Sequence, residues 1–292
     1  MPIVIGAVVP HGFPIIPDIS DDADGALATR AAMEEVNRRF DDAGVEVVFV
    51  VGPHGVRVNG FVAVADTVEG AGTLHYKGRT VEMNVLIDTA LTDSIVAAAR
   101  ARGVAVAEVG YGGSARQGSA LPLDWGVMTP LWFAGHNRNM PGYGHVLASF
   151  FLGEPERRGP KVVIANPSHR MPREANVEFG KAVAEAANAD SRRIGFIASC
   201  DWAHRHDPNG PGGFHPDAKR MDALVVQAIK DNDPLSLIDL PDEFIHNAAI
   251  DGLWQLLMLA GAQQITPMDV DFLSYEAPTY YGMIVATYHP SK

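Results

Sequence analysis

A tripeptide that occurs twice constrains this chain more than any other feature. Pro10-His11-Gly12 follows the strand-like run Ile3-Val4-Ile5-Gly6-Ala7-Val8-Val9, and Pro53-His54-Gly55 follows Val47-Val48-Phe49-Val50-Val51. One helix-like segment lies between them. It runs from a Ser20-Asp21-Asp22 cap to about Asp42, with Ala28, Met33, Val36 and Phe40 among its apolar positions and Gly44 as its stop. That is a β-α-β unit with a histidine just past the carboxyl end of each strand. The crossover makes the two strands parallel, so both histidines arrive at the same edge of the sheet. Ligands of open α/β sheets bind at that edge, and two histidines meeting there point to a metal ion.

The rest of the chain continues the alternation. Residues 58–87 carry turn signals between β-rich runs, around Phe61-Val62-Ala63-Val64 and Leu74-His75-Tyr76, and predict antiparallel strands or a hairpin. A helix is expected from Thr92-Asp93 to Arg102, then a strand at Val104-Ala105-Val106. The stretch from Gly110 to Pro141 is dense in Gly, Pro and aromatics, including Leu121-Pro122-Leu123-Asp124-Trp125-Gly126, and predicts a structured loop with a short helix lining a pocket. Strands at Val162–Ala165 and Ile194–Ser199 lead into Asn166-Pro167-Ser168-His169 and Cys200-Asp201-Trp202-Ala203-His204. Helices are expected over 173–187, 216–231 and 241–260, and a last strand at Met283–Thr287. The fold class is therefore α/β: a mixed, largely parallel central sheet flanked by helices, one domain over 1–292.

A formal net charge of −12 excludes the basic footprint that nucleic acid or an anionic membrane surface requires. Cys200 is the single cysteine, so neither an internal disulfide nor a cysteine-based zinc site can form, and it reads as a small packed residue. With no secretory leader pattern at Met1 and no apolar stretch of membrane-spanning length, a cytoplasmic location is expected.

Two histidines and one carboxylate leave three adjacent positions open on an octahedral ion, the arrangement of non-haem Fe(II) oxygenases. Asp251, in Ile250-Asp251-Gly252-Leu253-Trp254, is the stronger carboxylate candidate, because a charge at the start of an apolar helix needs a partner. Glu243 is the alternative. An acid/base group is also required, since a diol or aminophenol must lose protons to chelate a metal, and histidine suits that task near neutral pH. His204 and His169, each following a strand end, are the candidates. Phe13, Asp124, Trp125, His169 and Tyr275 are expected to line the substrate pocket.

In this order and spacing the motifs resemble the class III extradiol ring-cleavage dioxygenases, the superfamily of the protocatechuate 4,5-dioxygenase catalytic subunit, which also contains the Memo-like proteins. The parts are Pro10-His11-Gly12, Gly52-Pro53-His54-Gly55, Ala198–His204, Asp251-Gly252, and Leu273-Ser274-Tyr275-Glu276 before the last strand. The resemblance implies His11 and His54 as Fe(II) ligands, a third carboxylate near Asp251, and His204 as the acid/base residue. It implies a small aromatic substrate and O2, and a homo-oligomer, for which the apolar helix Leu253–Leu259 and the loops near 110–140 offer surfaces. Two positions depart from the pattern. Catalytic relatives usually carry Glu where Asp251 stands. They often read Asp-His-Gly where this chain has Asp124-Trp125-Gly126, and that histidine contacts substrate or oxygen. Trp125 offers a ring face and one N–H but cannot relay protons. A substrate of the 2-aminophenol type therefore stands beside catechols. The rivals are a zinc-dependent hydrolase and a Memo-like metal-binding protein without enzymatic activity.

Overall fold

The computed structural model describes residues 3–136 and 159–291. The end of the Gly110–Pro141 stretch (137–141) and the side chain of Phe13 lie outside the described part. Four parallel strands form the centre of an eight-stranded sheet: β1 (Ile3–Val9), β9 (Ile194–Ser199), β2 (Val47–Val51) and β8 (Lys161–Asn166). On one side β11 (Met283–Pro290) pairs antiparallel with β1, and β10 (Met268–Glu276) closes that edge. On the other, β3 (Val62–Ala65) runs antiparallel to β8, and β6 (Val106–Val109) lies outside it. A hairpin of β4 (Glu69–Tyr76) and β5 (Arg79–Leu86) joins β7 (Ala120–Pro122) in a small second sheet, where a hairpin was expected.

Strand residues alternate between two cores, as the two-residue period of a strand demands. Phe49, Val51, Val163 and Phe196 face the layer that contains α2 (Thr89–Ala101), α4 (Arg173–Ala189), α5 (Pro216–Lys230) and α7 (Leu253–Ile265). Ile5, Ala7, Val48, Val50 and Ile164 face α1 (Leu27–Asp42), α3 (Trp125–Trp132) and the hairpin. With both faces covered, the central strands are continuous apolar runs rather than alternating ones. Among the described residues no helix is long and apolar enough to cross a membrane.

Three details differ from the sequence reading. The two histidine-bearing strands are parallel, as the crossover predicts, but β9 is inserted between them. The chain ends in the β10–β11 hairpin rather than one strand: β10 alternates as Met268-Asp269-Val270-Asp271 because it is an edge strand with one wet face. The expected helix over 241–260 is two helices, α6 (Asp242–Ala248) and α7. Ala249 takes a left-handed conformation (φ 53°) and breaks the run, leaving Asp251 in the gap. The apolar helix considered as an oligomer surface is consumed by its own chain. Leu253, Leu256, Leu257 and Leu259 are fully buried. α7 approaches α4 so closely that a Cβ on Gly180 would stand 1.8 Å from the Met258 carbonyl oxygen.

Candidate active site

The register of the parallel strands brings the key residues together. Val9 sits opposite Ser199, and Val51 opposite Ala198. Two residues past those ends on adjacent strands stand His11 and Asp201, and three past the end of β2 stands His54. They line a cavity of about 440 Å³ together with Trp125, His204, Asp251, Tyr280 and Tyr281. The His11 and His54 rings meet edge to face with centroids 5.1 Å apart.

Donor accounting fixes which ring nitrogens face the cavity. Ser199 Oγ donates to the Gly126 carbonyl at 2.6 Å, so it accepts from His11 Nδ1 at 3.3 Å, and His11 Nε2 is left with a lone pair. His54 Nδ1 donates to Asp124 Oδ2 at 2.7 Å, freeing its Nε2. His204 Nδ1 donates to the Ala249 carbonyl at 2.9 Å and its backbone N–H to the Ala248 carbonyl at 2.9 Å; these bonds tie the end of α6 to the site and free His204 Nε2. Two carboxylates close the set. The Asp251 side chain accepts the Asp201 N–H through Oδ1 and places Oδ2 3.6 Å from His11 Nε2 and 3.8 Å from His204 Nε2. The Asp201 side chain accepts the His11 N–H through Oδ1 and places Oδ2 3.2 Å from His11 Nε2.

Burial acts on four of these groups. It holds His11 well below the usual imidazole range, helped by the neighbouring His54 and His204, and it lowers His204. Burial pushes Asp201 up to about 7, and burial with the charge of Asp201 raises Asp251 well above the carboxylate range. Imidazole nitrogens and two carboxyl groups thus converge on one part of the cavity. A divalent cation neutralises that arrangement, so the residues fit a metal ion. A second acidic cluster, Asp66, Asp93 and Glu108, lies elsewhere with ligand atoms within 4.8 Å, but Arg116 already pairs with Asp66 and Asp93.

Other residues singled out in the sequence take definite places. Asp124 stands behind His54, not in the cavity lining. Its Oδ1 caps α3 by accepting the Gly126 N–H at 2.9 Å while its Oδ2 orients the His54 ring, the outer-shell pairing typical of ligating histidines. Trp125 packs on His54 with centroids 4.5 Å apart and lines the cavity. His169 lies outside that lining, stacked on Trp254 at 3.5 Å. Tyr275 is also outside it, donating to buried Asp222 at 2.9 Å. Glu243 is exposed in the first turn of α6. Cys200 is fully buried with its thiol raised by burial, as a packed residue. Sequence reasoning missed Asp201 as a member of the site, along with Tyr281, whose ring stacks on His204 with centroids 5.6 Å apart. The available signal for Asp201 was its place two residues past a strand that ends in the small residues Ala198-Ser199.

Gly126 gives a direct test of how His54 is positioned. A Cβ there would fall 2.8 Å from His54 Cε1 and 3.1 Å from Asp124 Oδ1. Gly126→Ala is expected to displace the ring and weaken divalent-metal binding about tenfold or more, read by chelator competition. Unchanged affinity would show that the ring tolerates the shift.

Residues 6–285 match the family described as "Catalytic LigB subunit of aromatic ring-opening dioxygenase", and the chain belongs to that family, whose dioxygenases are metal-dependent. It is similar to the protein CA_C1420 of Clostridium acetobutylicum, at 22% identity over 272 residues covering 92% of this chain and 54% of that protein. The chain thus spans about half the length of that curated relative. In fold it is similar to the crystal structure of the uncharacterized protein JW3007 from Escherichia coli K12, with a TM-score of 0.59 and 13% identity over 97% of this chain and 99% of that one.

Proposed function

We propose that the protein is a non-haem Fe(II)-dependent extradiol dioxygenase that opens the ring of a catecholic or 2-aminophenol-type aromatic with O2. The observation that carries the reading is the convergence of His11 Nε2 and Asp251 Oδ2 (3.6 Å apart), with His54 beside them and His204 facing them across a cavity. His11, His54 and Asp251 would hold the iron, which supplies the redox chemistry with O2. A cavity of about 440 Å³ accommodates one substituted ring. His204, neutral and held by the Ala249 carbonyl, takes the proton from the substrate hydroxyl at Nε2 and returns it to the product. Tyr281 stacks on that imidazole and fixes its plane. Asp124 holds His54 in the tautomer that ligates. Trp125 supplies a wall but cannot relay a proton, which leaves that task to His204.

Anaerobic loading with Fe(II), followed by oxygen-electrode assays against catechols, gallates and 2-aminophenols, tests the reading. Oxygen uptake with a yellow ring-opened product is the expected outcome. Iron-loaded protein that takes up no oxygen with any of them would overturn it. One observation favours a second reading, the zinc-dependent hydrolase: the second carboxylate, Asp201, adds an oxygen donor of the kind zinc accepts. Hydrolysis by zinc-loaded protein would select that reading.

A further inference from the structure

We infer that Asp201 is a fourth direct ligand of the metal, giving a centre of two histidines and two aspartates in the substrate-free protein. The inference rests on the metal site in the reading above but not on the reaction proposed for it. The geometry treats the two carboxylates alike. In each, Oδ1 is anchored by one backbone N–H (His11 for Asp201, Asp201 for Asp251), and in each, Oδ2 is turned toward the lone pair of His11 Nε2. Asp201 is the nearer, 3.2 Å against 3.6 Å. Donors about 2.0–2.2 Å from one ion stand about 3 Å apart at right angles and about 3.5 Å apart at tetrahedral angles, so both separations are close to those of neighbouring ligands.

A purely supporting role for Asp201 does not account for this. An outer carboxylate works by accepting a hydrogen bond from the far N–H of a ligating histidine, as Asp124 does for His54. Asp201 instead faces the near nitrogen of His11, whose proton is already committed at Nδ1 to Ser199. Among the described residues no backbone N–H bonds Oδ2 of Asp201, and the residue, 4% exposed, lines the cavity. A buried carboxylate oxygen set 3.2 Å from an imidazole nitrogen needs a proton or a metal ion between them, and a second carboxylate turned to the same nitrogen fits the metal ion.

The consequence concerns exchangeable positions. Four protein ligands leave two positions of an octahedral ion open where three ligands leave three. A substrate chelating through two adjacent heteroatoms fills both. Chemistry that needs a third position therefore requires one carboxylate to yield when the substrate binds.

Zn(II) alone serves as the probe, with the full chain. A crystal structure of the zinc-loaded protein is expected to place Asp201 Oδ2 about 2.0–2.2 Å from the ion. Separation beyond about 3 Å, or a water between them, would overturn the assignment while leaving the dioxygenase reading intact. In parallel, Asp201→Asn keeps the acceptor for the His11 N–H and removes the anionic donor. It should weaken Zn(II) binding at least about 100-fold by chelator competition, beyond the range of an outer-shell change. Affinity within threefold of the parent would overturn it. A parent chain that binds no divalent ion would remove both this inference and the iron-dependent reading, whereas oxygen uptake decides the reaction separately.

Discussion

His204→Ala is expected to lower turnover of the iron-loaded protein about 10²–10⁴-fold while its iron content stays that of the parent. Both halves of the result follow from where His204 sits. Its Nε2 reaches into the cavity 3.8 Å from Asp251 Oδ2, near enough to exchange a proton with a ring hydroxyl held beside the carboxylates. Its Nδ1 is committed to the Ala249 carbonyl and its ring to the stack on Tyr281, so the imidazole is held in one tautomer and one plane. Such pre-positioning is what makes a general base effective. The burial that lowers its proton affinity keeps it unprotonated and ready to accept at neutral pH. Metal retention separates this role from ligation. The other members, His11, His54 and the carboxylates, remain in place because the His204 backbone N–H still bonds the Ala248 carbonyl in the variant. Full activity in His204→Ala would remove the acid/base assignment, and loss of iron would make His204 a ligand instead.

The parts of this molecule that were legible in the sequence are those written in local pattern. Apolar runs ending in Pro-His-Gly announced β1 and β2, and the handedness of crossovers put His11 and His54 on one edge without any structural knowledge. The block Ala198–His204 announced a strand end carrying a histidine, and the isolated charge of Asp251 ahead of an apolar helix announced a buried role. What was not legible depended on distant register. Placing β9 between β1 and β2 is a decision of the whole sheet, yet it alone sets Asp201 beside His11. The break that turns Asp251 toward Asp201 depends on Ala249 at positive φ, a conformation that costs alanine about 1–2 kcal/mol and that no local signal predicts. Tertiary contacts, with His204 bonding both carbonyls at the end of α6, hold it there. Tyr275 reads equally well as a pocket wall or as a packed residue, and only the position of Asp222 sends its hydroxyl away from the cavity. Likewise Asp124, expected near substrate, is diverted to the outer side of His54 because it also caps α3.

Asp251→Asn is expected to act in opposite directions on metal binding and on stability. As a ligand substitution it removes an anionic donor, and divalent-metal affinity should fall at least about 100-fold, taking iron-dependent turnover with it. The metal-free protein, in contrast, should become more stable. Asp201 is buried and Asp251 partly buried, with 21% of its side chain exposed, and the charge of Asp201 is one of the causes that raise Asp251 above the carboxylate range. An asparagine keeps the Oδ1 acceptor for the Asp201 N–H and turns an N–H2 toward the lone pairs of His11 Nε2 and His204 Nε2, where the aspartate presented a negative oxygen. The pH dependence has a definite sign. A carboxyl whose folded pKa lies above its unfolded value binds more protons in the native state between the two values. Its favourable contribution is therefore present at low pH and is lost as pH rises through the folded value. With Asp201 at about 7 and Asp251 raised in the same direction, metal-free parent protein should lose stability as pH rises from about 4 through about 7. Asp251→Asn lacks the part of that loss that belongs to Asp251. The buried histidines, which oppose it on the acid side, are common to both proteins and cancel in the difference. At pH 8 with chelator present, the variant should unfold on the order of 1–3 kcal/mol later than the parent, several degrees in Tm, and the gap should shrink at pH 5. Saturating Zn(II) should invert the order, because only the parent gains the stabilisation of a tightly bound ion. Thermal unfolding of both proteins at the two pH values, with chelator and with zinc, reads all of this in one series. A variant no more stable than the parent without metal would mean that the two carboxylates are not in conflict. A variant stabilised by zinc as much as the parent would remove Asp251 from the ligand set.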